Sequence, residues 1–89
     1  MQMLNQEEVK KIIYQSCHRG CKETDFILGD FAKAKVNQFD IGKLTLYQKL
    51  ILEDDWNIYN WVVGRQETPD QYMVLINEIK EFSRQQFLS

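Results

Sequence analysis

Residues 19–25 read RGCKETD, a cluster of charge, a glycine and a thiol at the point where one helical pattern stops and the next begins. With Cys17 and His18 just upstream, Cys21 belongs to a group that could ligate a metal. A closed zinc site takes four ligands, usually from two pairs of closely spaced residues. Here two cysteines and the chain's single histidine stand without a second cluster, and the spacing reads as helix-end packing. A disulfide between Cys17 and Cys21 is not expected in a reducing compartment. A second acidic group, Glu53, Asp54 and Asp55, raises the same metal question. Consecutive residues of a helix face different directions, so this run reads as a helix junction with caps. A catalytic reading needs convergent nucleophiles, acids or bases. The chain has no Ser–His–Asp set, no Gly-rich phosphate loop and no dinucleotide fingerprint, and we expect no enzyme. What remains for RGCKETD is a turn between helices or an interaction surface built on a turn. Periodicity alone leaves those two open.

The elements that must position these residues are helices. The first runs from Gln6 to His18 or Arg19, with Asn5 as its cap, Glu7 and Glu8 in its first turn, and Val9, Ile12, Ile13 and Cys17 on one face beside Tyr14. Gly20 ends it, and Arg19 complements its C-terminal dipole. The second runs from Lys22 or Glu23 to Val36 or Asn37, with Glu23 or Asp25 favouring its N-terminus. Phe26, Ile27, Phe31 and Ala34 form its apolar face, with Leu28 at the edge. Gly29 inside it costs about 1 kcal/mol relative to Ala unless a neighbouring helix comes close. FDIGK (39–43) is a connection, and the third helix starts near Leu44 or Thr45 and carries Leu46, Tyr47, Leu50 and Ile51. Asp54 or Asp55 caps a short fourth helix, DWNIYNWVVG, which Gly64 ends. Thr68 before Pro69 starts a fifth, with Tyr72, Met73, Leu75, Ile76, Ile79 and Phe82 at helical spacing. No segment alternates as a strand. The expectation is an all-α, compact five-helix bundle forming a single domain over residues 1–89.

Bulk properties narrow the function further. With 44% hydrophobic and 27% charged residues, the 89-residue chain is globular rather than disordered. A net charge of −2 argues against nucleic acid as the partner. No apolar run approaches the roughly 18 residues of a membrane span, and pieces such as FIL and WVV are short. The polar, acidic start lacks the features of a secretory or transit leader, so we expect a cytoplasmic bacterial protein, or a mature form without its presequence. Two Trp, four Tyr and five Phe are many for this size, and most belong in the core. Trp56, Tyr59, Asn60 and Trp61 nevertheless crowd into one element, as interface anchors do. Their acidic neighbours oppose a base-stacking role.

Three stretches, RGCKETDFILGDFA, LTLYQKLILEDDWNIYNWVVG and TPDQY, resemble the SdhE/Sdh5 family of flavinylation factors, small five-helix proteins that assist succinate dehydrogenase assembly. Arg19, Gly20 and Glu23 match the family's RGxxE hallmark. Asp54, Asp55, Trp56, Tyr59 and Trp61 match its acidic–aromatic segment, and the resemblance spans residues 8–83. It implies a chaperone-like factor that binds the flavoprotein subunit of succinate dehydrogenase, and in some bacteria that of fumarate reductase. Such a factor promotes covalent attachment of FAD to a His of that subunit. It implies that Arg19, Gly20 and Glu23, with Asp25 and the acidic–aromatic residues, form the partner-binding surface. It further implies that FAD is held by the partner and not stably by this chain, and that the chain is a monomer exchanging into a one-to-one complex. Cys21 stands where a Met is common in the family, and His18 where a basic residue is common. The other reading is a regulatory protein-interaction module of antitoxin type, which would not require the flavoprotein.

Overall fold

The computed structural model describes residues 6–88, so the expected cap at Asn5 lies outside the described residues. Five α-helices follow one another: α1 (Gln6–Cys17), α2 (Lys22–Lys35), α3 (Ile41–Leu50), α4 (Asp55–Val63) and α5 (Met73–Leu88). Single turns of 3₁₀ helix at Val36–Gln38 and Asp70–Tyr72 extend α2 and introduce α5. Among the described residues there is no strand, and no helix is long and apolar enough to cross a membrane. α1 lies along α2, α2 also packs on α4 and α5, and α4 packs on α5.

α1 stops at Cys17, short of the predicted His18 or Arg19. Its core-facing residues are Ile12 and Ser16, one turn apart, with Val9 and Ile13 packed at the margin. Ser16 is tolerated there because its hydroxyl bonds the Ile12 carbonyl (2.9 Å) and the Tyr47 hydroxyl (2.7 Å), so neither polar group is buried unpaired. α2 corrects the sequence reading. Its buried stripe is Thr24, Leu28, Phe31 and Ala32, whereas Phe26 is 60% exposed and Ala34 is exposed. Thr24 can face inward because its hydroxyl reaches the Asp55 carbonyl at 3.3 Å. That choice rotates the helix so that Leu28 is central and Phe26 points out. Gly29 has the reason expected of it: a Cβ there would come within 3.1 Å of the Cys17 sulfur and 3.4 Å of the Cys17 Cα.

α3 begins three to four residues earlier than predicted. Asp40 is its N-cap and accepts from the Lys43 amide at 2.8 Å, so most of FDIGK is helix rather than connection. Leu44, Tyr47, Leu50 and Ile51 are buried. α4 keeps both predicted ends: Asp54 accepts from the Trp56 amide at 3.0 Å, and Gly64 stops the helix at φ 84°. At α5, Thr68 does not act as the cap. Pro69 leads into the 3₁₀ turn through a Tyr72 N–H to Pro69 C=O bond (2.9 Å), and the α-helix starts at Met73. Tyr72, Leu75, Ile76 and Ile79 face inward as predicted, while Met73 is exposed. The core joins all five helices. Phe31 sits at its centre, with ring centroids of Phe39, Tyr47 and Phe82 about 6 Å away (6.0, 6.1 and 5.9 Å).

Candidate protein-interaction surface

Arg19 follows the end of α1, and Gly20 at φ +100° turns the chain into α2. This backbone conformation strains any residue with a Cβ. The Arg19 amide donates to Asp25 Oδ1 at 2.5 Å, which fixes the turn against the first turn of α2. The Arg19 side chain then runs inward and is only 9% exposed. Its Nε donates to Asp55 Oδ1 at 2.6 Å, its Nη1 to the Ile51 carbonyl, and its Nη2 to the Glu53 carbonyl at 2.8 Å. Those carbonyls lie just past the end of α3, where the helix can no longer supply donors. Arg19 thus serves the C-terminus of α3, not that of α1 as the sequence suggested. The planar guanidinium suits this task, since its fixed fork of donors can meet two carbonyls and a carboxylate at once. The Tyr72 hydroxyl donates to Glu53 Oε2 (3.0 Å), so α5 joins the same junction.

Around this clamp the other predicted residues take different positions. Gly20 is exposed, with nothing within 4 Å of where a Cβ would stand. Glu23 is exposed on the first turn of α2, and its carboxylate is 3.3 Å from the Cys21 thiol. Cys21 is the N-cap residue of α2 but makes no side-chain cap, and both cysteines are free. The i to i+4 face shared by Cys17 and Cys21 does not form, because α1 ends at Cys17. His18 stacks on Tyr14 with ring centroids 4.1 Å apart, and its Nδ1 is 3.0 Å from the Tyr14 carbonyl, to which it can only donate. Among the described residues, no group of three or more His, Cys, Asp or Glu is arranged to hold a metal.

The acidic–aromatic segment splits. Asp54 is exposed and Asp55 half-buried. Trp56 is 57% exposed and meets Tyr59 edge to face at 5.8 Å. Trp61 is 4% exposed and packs on Tyr72, also at 5.8 Å between centroids. Five residues apart on a helix lie about 140° apart around it. One indole therefore faces solvent while the other fills the core, and Trp61 has no surface to offer. Two tyrosines behind this surface have raised pKa values. Burial pushes Tyr47 up to about 12, opposed by its hydrogen bond to Ser16 and the Arg19 charge. Burial also raises Tyr72, helped by its bond to Glu53. The sequence reading missed Phe26, Lys22, Val63 and Lys80, which line an open groove beside Glu23 and Tyr59. No sequence signal marked Phe26, because it lies off the buried stripe only once Thr24 is seen to face inward.

A family model described as flavinator of succinate dehydrogenase, Sdh5, matches residues 10–83. The chain belongs to the Sdh5 family. It is similar to proteins named succinate dehydrogenase assembly factor 2, mitochondrial. One from Schizosaccharomyces japonicus is 34% identical over 74 residues, covering 81% of this chain and 52% of the relative. One from Drosophila grimshawi is 38% identical over 72 residues (79% and 49%), and one from Danio rerio 36% over 78 residues (84% and 49%). The chain spans about half the length of these curated relatives. Membership in a family of assembly factors agrees with the expectation that this chain is not an enzyme.

Proposed function

We propose that this chain binds the flavoprotein subunit of succinate dehydrogenase and promotes covalent attachment of FAD to it. The observation that carries the reading is the Gly20–Glu23 turn, held by the Arg19 clamp beside exposed Trp56 and Tyr59, in a chain of the Sdh5 family. The flavoprotein supplies the accepting His and holds FAD. The helper supplies geometry: it keeps one arrangement of the flavoprotein in which the flavin ring lies near that His and developing charge is stabilised. Gly20 permits close backbone approach, and Glu23, Asp54, Trp56 and Tyr59 make the contacts. Asp25 acts by fixing the turn to α2, and Arg19 and Asp55 act from beneath by fixing it to the α3–α4 junction. Trp61 supports α4 from the core. The complex is one-to-one with a monomeric helper, and the flavoprotein of fumarate reductase is a second client. The compartment is the one in which the flavoprotein matures, which for a bacterial host is the cytoplasm.

In-gel flavin fluorescence of the denatured flavoprotein tests this, because denaturation removes FAD that is not covalently attached. The subunit incubated with FAD and this protein gains fluorescence over FAD alone, and Glu23→Ala loses the gain. Equal fluorescence with and without the protein would overturn the reading. The same assay on the fumarate reductase subunit tests the second client.

A further inference from the structure

A groove of about 710 Å³ runs between α2, α4 and α5. Phe26 and Ile27 from α2 form one bank, and Tyr59, Val62 and Val63 from α4 the other. Phe26 and Val63 are 60% and 45% exposed, so both banks turn large apolar side chains toward one concavity instead of scattering them over the surface. The rim is basic. Lys22 and Lys80 line it, their ammonium groups make no hydrogen bond or ion pair among the described residues, and Glu23 is the one carboxylate there. This inverts the balance of a chain whose net charge is −2. The described residues contain no strand, hence no sheet edge onto which an extended segment could add. A trough between helices instead receives a helix, whose apolar side chains at i, i+3 or i+4 and i+7 fill it.

We infer that this groove receives an amphipathic helix of the partner flavoprotein, apolar on the inserted face and acidic along its flanks. The inference rests on the flavoprotein reading above and extends it. Glu23 belongs to both the turn and the groove, so the two are one continuous surface. The turn sets where the partner sits, and the groove supplies apolar area and the charge match with Lys22 and Lys80.

The test is calorimetric titration of the purified, FAD-loaded flavoprotein subunit with the full chain and four variants. Phe26→Glu and Val63→Glu alter exposed positions, and circular dichroism and thermal midpoints should match the parent protein. Each should weaken binding by about tenfold or more. Lys22→Glu and Lys80→Glu should weaken it and flatten its dependence on salt. Full binding by Phe26→Glu and Val63→Glu would overturn the groove inference while leaving flavoprotein binding intact. Absence of binding by the parent protein would overturn the flavoprotein reading itself, and the groove's occupant with it. A photo-crosslinking residue at position 63 adds the identity of the occupant. Capture of an acid-flanked helix of the flavoprotein supports the inference. Capture of an extended segment, or of a second copy of this chain, overturns it.

Discussion

Arg19 and Lys22 are three residues apart on either side of one turn, and their charges are used in opposite ways. The Arg19 guanidinium is drawn into the fold, where it meets a carboxylate and two carbonyls. The Lys22 ammonium stays at the rim of a groove without a partner among the described residues. The difference follows from the groups themselves. A guanidinium is weakly hydrated and presents donors in a fixed plane, so it can be buried where acceptors converge. An ammonium is strongly hydrated and is left where water or a partner can reach it. The clamp is therefore polar capacity spent on architecture, and the groove is capacity held for something else. A charged residue can shape a surface from beneath without being exposed on it.

Breaking the clamp should produce the largest effect. Arg19→Ala leaves Asp55 and two carbonyls without their donor, and urea unfolding should report a loss of roughly 2–5 kcal/mol. Arg19→Lys should recover only part of it, because one ammonium cannot span all three acceptors. If Arg19 acts through the clamp alone, Arg19→Ala combined with Asp55→Ala should flavinylate no less than Arg19→Ala by itself. A further additive loss would show that Asp55 also acts apart from Arg19. The next effect is in alkali. The Tyr47 pKa rises from 10.0 to about 12 on folding, so the unfolded chain ionises first. Stability is full below pH 10 and falls as pH climbs to about 12, by on the order of 3 kcal/mol when complete. Tyr72 is raised as well and adds to the fall with the same sign. Tyr47→Phe should make the alkaline slope shallower, and alkaline unfolding curves read this directly. Gly20→Ala should cost about 1–2 kcal/mol from its backbone conformation alone, since nothing stands near its Cβ. Smallest of all, Lys22→Ala should change stability by no more than about 0.5 kcal/mol. Its effect belongs to partner binding, and a larger stability change would contradict the contrast with Arg19.

The parts of the fold legible in the sequence are those decided locally. Asp54 and Gly64 bound α4 because a cap and a left-handed glycine act within a turn of where they stand. The apolar series of α5 is regular enough to point at its buried face. Gly29 could be flagged because an interior glycine in a helix needs a close neighbour. What was not legible depended on distant partners or on polar groups doing apolar work. Thr24 took a core position because the Asp55 carbonyl was there to meet it, and this displaced Phe26 from the core. Gly42 and Asp40 looked like loop residues until the Asp40 carboxylate capped α3. At the site, the two hallmark segments were visible as motifs. Their meeting through Arg19 and Asp55 was not, since 36 residues separate that pair and no periodicity spans the gap. The division of labour between Trp56 and Trp61 was likewise hidden, because both indoles suit an interface and only the register of α4 separates them.

That separation also bears on timing. Arg19 reaches forward in the chain by 32 to 36 residues for its three acceptors. A ribosome delivers the turn well before it delivers residue 55, and during that interval the guanidinium has none of its native acceptors. The backbone turn can be set locally by Gly20 and the bond from the Arg19 amide to Asp25, but the side-chain clamp closes only after α3 has ended and α4 has begun, so it is a late contact in synthesis.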